Sequence, residues 1–472
     1  MREWDARRVA AAAGARLVAE PQQADRPAGP AGASVDSRSL VGGELFVGLR
    51  GERADGGAHA PQALAAGAWG VLVAPEHADA AASSAGADAG AGGGGGAVLA
   101  HEDPLAGLQA LARAWRAELA ARGARVVAIT GSTGKTSTKD ILAALLRGGM
   151  RVAANPANLN TDIGLPLALL AAPGDTQAVV LEMAMRGAGQ IAQLTGLADP
   201  DVGVIVNVGP AHLELLGSLE AVAAAKAELI AGMRADATAV VPAGEPLLAA
   251  HMRAELRTIT FGEGGDVRLL GRGEDGWVLV EHDGERIALR PSFSQAHNLR
   301  NLLAAVAAAR ALGYTPSGRL DVEFSAMRGQ RETLAGGVVL VDDCYNANPM
   351  SMRAAIDDLA ETAAGRRVAV LGDMLELGRE SERMHREIGA YAGARGVELL
   401  VAVGPLAAAM TDAFAGEARR TPDARAAAEL VGGLLREGDT VLVKGSRGVG
   451  LERVAQALRA GGEPLVAASG RR

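Results

Sequence analysis

The chain has a single cysteine, Cys344, among 472 residues, so no intramolecular disulfide is possible and a reducing compartment, the cytoplasm, is expected. Aromatic residues make up only 3%, which leaves Ala, Val and Leu to pack the core. No run of about 18 apolar residues occurs, so no membrane span is expected. The N-terminal stretch MREWDARRVAAAAGARLVAE lacks a continuous apolar centre and reads as an amphipathic helix rather than a signal peptide. Positive charge is not in excess either. Lys and Arg number 47 against 55 Asp and Glu, a formal net charge of −8. That balance excludes a duplex nucleic-acid binder, which concentrates basic residues in a patch, but not a small anionic substrate in a local positive pocket.

What is present is a globular balance, 49% apolar and 22% charged, in a chain too long for one compact core. Residues 1–103 carry short apolar runs, Leu45-Phe46-Val47 and Val71-Leu72-Val73, between glycine-rich turns, as in a small α/β domain. Within that block the Gly/Ala-rich stretch 81–96 has nothing to bury and is expected to be a flexible surface loop. Residues 104–315 open with an amphipathic helix over about 104–122. Strand-like runs follow at Val126–Ile129, Ala178–Leu181, Val202–Val206 and Thr238–Val241, with helical stretches between them. This alternation predicts a mainly parallel sheet covered on both faces. From about 316 to 472 the pattern restarts, with runs at Val338–Val341, Val368–Leu371, Leu399–Val403 and Val441–Val443. The fold class is therefore α/β in three domains: a small N-terminal one, a central parallel-sheet one with a phosphate loop, and a Rossmann-like C-terminal one.

The segment Gly131-Ser132-Thr133-Gly134-Lys135-Thr136 follows a strand-like run and precedes a helical pattern from Ser137. Glycines let backbone N–H groups turn toward one anion, and the helix N-terminus adds positive potential. Lys135 would reach the terminal phosphates of ATP, and Thr136 would offer a hydroxyl to Mg²⁺. The loop is a shortened form, with Ile129 where a further glycine is usual. A phosphate loop implies a nucleoside triphosphate and leaves the reaction open.

Glu182 ends the strand at 178–181, where the crevice of an open α/β sheet lies, and His212 follows the next strand. Lys226 lies in an apolar helical stretch, 219–230. Read alone, Glu182 is equally a surface cap and His212 a satisfied loop imidazole, while an isolated helical lysine such as Lys226 is usually a solvated one. The run ITGSTGKTS, the segment Asn158-Leu159-Asn160-Thr161, Glu182, AHLELLGS and AAKAE together resemble the Mur ligases, which build the peptide of bacterial cell-wall precursors. The resemblance implies that Glu182, His212 and a carbamylated Lys226 hold a second Mg²⁺.

Further text extends the resemblance over essentially the whole chain. Asn298 and Asn301, three apart in QAHNLRN, share a helical face and look like the adenine-side contacts, with Arg331 and Asp343 as further nucleotide contacts. DDCYNANPMSM at 342–352, LGDMLELG at 371–378 and VKGSR at 443–447 resemble the branch of the family that adds D-alanyl-D-alanine to a UDP-muramoyl-tripeptide. Asn346 and Asn348 would lie near the dipeptide. Asn348 and Pro349 also suit a helix cap and first turn. Asp36-Ser37-Arg38 resembles part of the UDP-sugar domain, with Ser37 and Arg38 as substrate contacts together with Asn158, Asn160 and Thr161. A diaminopimelate-adding or folylpolyglutamate-type ligase is the alternative. The Asp-Asn-Pro-Arg string of the former is absent. A non-catalytic nucleotide-binding scaffold has no need of Lys135, Thr136, Glu182 and His212 together. Cys344 reads as a small, semi-buried residue and not a nucleophile. A monomer acting on small molecules is expected.

Overall fold

A computed structural model describes residues 1–21, 28–52, 54–87, 95–156 and 159–461. Three sheets organise them. The first contains β1 (Arg16–Ala19), β2 (Ala33–Ser34), β3 (Leu45–Val47), β4 (Gly70–Val73) and β5 (Ala97–Ala100), in the order β1-β5-β4-β3-β2. Its pairs are parallel except β1 with β5. The expected helix over the first 20 residues is shorter, Ala6–Ala13. Asp5 caps its start, and Gly14, in left-handed conformation at φ 64°, ends it and turns the chain into β1. The described part of the Gly/Ala-rich stretch also differs from expectation, residues 88–94 lying outside the described residues. Its first part, 81–87, belongs to the helix Pro75–Ala87, which buries Ala81 and Ala85 against the sheet. Small side chains pack closely where a larger one has no room, so poverty in bulky residues does not prevent burial.

The second sheet has ten strands: β6 (Arg125–Thr130), β7 (Val152–Ala154), β8 (Ala178–Glu182), β9 (Val202–Ile205), β10 (Thr238–Pro242), β11 (Arg257–Phe261), β12 (Val267–Arg272), β13 (Val278–His282), β14 (Glu285–Pro291) and β15 (Gly318–Leu320). Their order is β15-β14-β13-β12-β11-β10-β9-β6-β8-β7. From β7 to β12 the pairing is parallel, as the buried runs predict. The meander β12–β14 is antiparallel and was not expected. β12 is exposed beyond Val267, β13 alternates buried with half-buried residues, and β14 buries only Ile287 and Leu289, so none has the continuous apolar run that signals a strand buried on both faces.

The third sheet contains β16 (Gln330–Thr333), β17 (Val339–Asp342), β18 (Arg367–Gly372), β19 (Leu399–Val403), β20 (Glu417–Thr421) and β21 (Thr440–Lys444). The order is β16-β17-β21-β18-β19-β20, parallel except for the edge strand β16.

Two features brace the central sheet. The helix Ala296–Ala311 is buried along nearly its whole length, with Ala304 to Ala309 fully covered, and packs against the helix Lys135–Arg147. At the opposite end of β6, buried Asp201 accepts from the Val126 amide at 2.7 Å and pairs with Arg116, Arg125 and Arg234. Three guanidinium groups around one carboxylate satisfy a charge that would otherwise be too costly to bury.

Candidate active site

The phosphate loop leaves the end of β6. Gly134 holds φ 76° as the N-cap of the helix Lys135–Arg147, and a Cβ there would lie 2.6 Å from Asn301 Oδ1. Both facts require glycine. The amides of Ser132 and Thr133 donate to Asn207 Oδ1 at 3.1 and 2.9 Å. Asn207 Nδ2 returns two bonds to Thr133, and Ser132 Oγ donates to Gly209 O at 2.9 Å. The first loop amides are thus taken up by the segment after β9. Those of Gly134, Lys135, Thr136 and Ser137 have no acceptor among the described residues and are the ones left for an anion. Lys135 Nζ folds back on Gly131 O at 2.9 Å. Burial lowers the Lys135 amine from its ordinary range, with Glu182 opposing the shift and Arg328 adding to it.

Glu182 closes β8, beside β6, and is 2% exposed. Its Oε2 accepts from Thr136 Oγ1 at 2.7 Å, and its Oε1 from Asn160 Nδ2 at 2.9 Å. Asn155 braces its backbone, accepting from Glu182 N at 2.8 Å and donating to Glu182 O at 3.2 Å. Lys226 lies on the helix Leu219–Gly232, is 1% exposed, and makes no hydrogen bond or ion pair among the described residues. Burial drives its amine well below the ordinary lysine range, and the charge of Lys135 adds to the effect. His212 places Nδ1 2.5 Å from Glu376 Oε2. Burial lowers its imidazole, Glu376 opposes, and Lys135 and Lys226 lower it further. Lys135, Thr136, Glu182, His212 and Lys226 therefore form one electrostatically connected group.

The C-terminal sheet reaches this group. Arg328 donates to Thr136 Oγ1 at 3.0 Å, and its guanidinium lies 4.0 Å over the Tyr345 ring. Arg331, the arginine singled out from the sequence, instead pairs with Asp358 at 2.8 Å and also donates to Thr362. Asp343 pairs with Lys444 at 2.6 Å, and Lys444 also donates to Asn346 O at 3.0 Å. Asn346 Oδ1 accepts from Ala347 N. Asn348 caps the helix Pro349–Thr362 through a capping box with Ser351, and its Nδ2 reaches Ser132 O at 3.3 Å. Asn298 and Asn301 are buried and joined at 3.3 Å. Cys344 is 1% exposed; burial and Asp342 push its thiol up, so no thiolate forms near neutral pH.

The remaining substrate residues stand apart. Arg38 forms a two-pronged pair with Asp36, whose carboxyl is lowered to about 2, and Ser37 lies half-buried in the same turn. Thr161 Oγ1 accepts from Gly164 N at 3.3 Å. No hydrogen bond or ion pair ties Ser37, Arg38 or Thr161 to the loop group among the described residues. Asn158 lies outside the described residues. Sequence reasoning missed Asn155, Asn207, Arg328 and Glu376. The asparagines sit in the loops that follow β7 and β9, where asparagine is ordinary. Arg328 and Arg331 flank Gly329 three residues apart, and spacing alone cannot choose between them.

Residues 129–309 match the Mur ligase middle domain, and residues 327–447 match the glutamate ligase domain of Mur ligases. A UDP-N-acetylmuramoyl-tripeptide–D-alanyl-D-alanine ligase of Synechocystis is 39% identical over 439 residues, covering 90% of this chain and 91% of that one. The enzyme of the same name from Bacillus subtilis is 34% identical over 440 residues, with 90% and 93% covered. The fold superposes on a crystal structure of MurF from Acinetobacter baumannii at a TM-score of 0.82, with 28% identity and 97% and 99% of the two chains covered. A MurF ligase from Thermotoga maritima in complex with ADP gives 0.75, with 30% identity and 91% and 97% covered. The chain belongs to the Mur ligase family, among its UDP-N-acetylmuramoyl-tripeptide–D-alanyl-D-alanine ligases.

Proposed function

We propose that this chain joins D-alanyl-D-alanine to the terminal carboxylate of UDP-N-acetylmuramoyl-tripeptide, with ATP cleaved to ADP and phosphate, in cytoplasmic assembly of cell-wall precursors. In this reading residues 1–103 take the UDP end, residues 104–315 the ATP, and residues 316–472 the dipeptide. The observation that carries it is the convergence of Lys135, Thr136, Glu182 and Arg328 at one helix N-terminus, roofed by the sheet that carries the DDCYNANP segment.

A carboxylate does not condense with an amine at neutral pH, because oxide is too poor a leaving group. Its oxygen attacks the γ-phosphorus of ATP, ADP departs, and an acyl phosphate results. Phosphoryl transfer needs chiefly positioning and charge neutralisation. The free amides from Gly134 to Ser137, Lys135 and Arg328 supply both. Arg331, committed to Asp358, does not. The dipeptide amine then adds to the acyl carbon, loses a proton, and phosphate leaves as the amide forms. Contacts such as Asn348 with Ser132 keep the C-terminal domain over the loop, excluding water that would hydrolyse the acyl phosphate.

The oxygens of Thr136 and Glu182 suit Mg²⁺, a hard cation. A second ion would be held by His212 and Lys226. The buried Lys226 amine, which has no hydrogen-bond or ion-pair partner among the described residues, fits carbamylation: burial favours its neutral form, whose nitrogen adds to CO₂, releases a proton and becomes a carboxylate-like ligand. Bound Mg²⁺ would neutralise charge developing on the transferred phosphoryl group.

Incubating the protein with ATP, UDP-N-acetylmuramoyl-tripeptide and either D-alanyl-D-alanine or single amino acids tests the reading. Dipeptide-dependent phosphate release with a product of matching mass is expected. Amide formation only with a single amino acid would overturn it in favour of another ligase of the family.

A further inference from the structure

His212 belongs to the loop group, yet its ring is oriented from another domain. Its Nδ1 lies 2.5 Å from Glu376 Oε2, its Nε2 makes no hydrogen bond among the described residues, and the Glu214 amide donates to Glu376 O at 3.0 Å. Both partners hold left-handed backbone, φ 58° at His212 and 64° at Glu376. Residues other than glycine seldom adopt that conformation unless their surroundings impose it.

The surroundings do impose it. The segment after β18 is pinned within its own domain. The Met374 amide donates to His385 Nε2 at 2.9 Å, the Leu375 amide to Ser446 Oγ at 2.9 Å, and Asp373 Oδ1 accepts from Ala407 N at 2.6 Å. His385 is fully buried and donates through Nδ1 to Ser381 O, so it is fixed as a neutral acceptor for Met374. Gly378, at φ 58°, allows the segment to close on the central domain, since a Cβ there would lie 3.2 Å from Glu214 Cα. Local turn chemistry does not need Glu376 aimed outward at His212. The bracing presents that one carboxylate to the other domain.

We propose that Glu376 is a positioning residue. It holds the His212 proton on Nδ1 and leaves the Nε2 lone pair for the divalent-cation site, and it does so only while the C-terminal domain is docked. The inference rests on the reading of His212 as a cation ligand and adds a residue from the domain assigned to the dipeptide. A carboxylate acceptor at one ring nitrogen fixes the tautomer and raises the basicity of the other. Domain closure and completion of the cation site thereby become one event, so the site is finished only once it is covered.

The test is a Mn²⁺ titration of the full chain by electron paramagnetic resonance, with a non-hydrolysable ATP analogue present. Wild type is expected to bind two ions. Glu376→Ala should weaken one of them about 10–100-fold while leaving the other ion and the nucleotide affinity in place. Glu376→Gln keeps the side-chain length but can present N–H to Nδ1, driving the ring proton to Nε2, and should fare no better. It also carries the test if the alanine variant melts early. Histidine-selective ¹⁵N spectra, with His212 identified by its loss in His212→Gln, should show the Nδ1-protonated tautomer in wild type and not in either variant. Unchanged Mn²⁺ affinities in both variants, a single ion in wild type, or an Nε2-protonated His212 in wild type would each overturn the proposal. Failure of the ligase reading appears separately, as a wild-type protein that forms no amide from the dipeptide.

Discussion

Thr136 Oγ1 donates to Glu182 Oε2 across 2.7 Å, joining the first turn of the helix after β6 to the last residue of β8. β6, which leads into that helix, and β8 are neighbouring parallel strands, so the two side chains meet at the carboxyl edge of the sheet, where ligand crevices form. Burial of both residues keeps that oxygen pair from competing water, so its geometry is set before substrate arrives.

Glu182→Gln keeps the shape and removes the charge. The Mg²⁺ concentration giving half-maximal phosphate release should rise at least 10-fold. Lys135→Ala should lower kcat by about 10²–10³-fold while calorimetric binding of the UDP substrate stays unchanged. An unaltered Mg²⁺ dependence in the first variant would remove Glu182 from the cation site.

The two arginines at 328 and 331 should separate cleanly. Arg328→Met removes a cation that contacts Thr136, and a kcat loss of about 10²-fold or more is expected. Arg331→Met leaves Asp358, which is 8% exposed, without its partner. It should cost about 1–3 kcal/mol of stability with kcat nearly intact. Thermal melts alongside initial rates decide the matter. If Arg331→Met is the inactive variant, the assignment is reversed.

The difference between these arginines shows what was legible in the sequence. Buried parallel strands announce themselves as continuous apolar runs, so β6, β8, β9, β10, β18, β19 and β21 could be read directly. The strand–loop–helix order gave Lys135 and Thr136, and the family text led to Glu182, His212 and Lys226. Contacts made across a domain boundary leave no local trace. Nothing in AMRGQRE says that the chain turns at Gly329, φ 81°, so that Arg328 meets the loop while Arg331 joins β16. Nothing in LGDMLELG says that its glutamate meets a histidine 164 positions earlier.

Lys226 makes a prediction about pH. Its pKa is lowered in the folded protein, so the unfolded chain binds a proton that the folded one does not. Stability should therefore rise with pH above the depressed folded value and level off near the ordinary lysine pKa of about 10.4. Lys226→Met should abolish that component and raise Tm, by ~2–4 °C for each kcal/mol gained in a large domain. The same variant should lose activity about 10²-fold or more. Wild type given ¹³C-bicarbonate should show a carbamate resonance that is missing from the variant. A pH–stability curve identical in the two proteins would contradict a neutral Lys226.

Gly134 offers a test in which two effects can be pulled apart. Gly134→Ala places a residue with a Cβ at φ 76°, which costs roughly 1–2 kcal/mol. It also sets that Cβ 2.6 Å from Asn301 Oδ1, an overlap that adds about 1–3 kcal/mol unless Asn301 moves. Asn301 is buried and joined to Asn298, so its freedom to move is small. Adding Asn301→Ala removes the overlap and leaves the backbone strain. The double variant should regain part of the melting temperature lost by Gly134→Ala, though not its nucleotide affinity, because the amides at the start of the helix remain displaced. A double variant as unstable as the sum of its parts would mean that Asn301 is not what confines position 134.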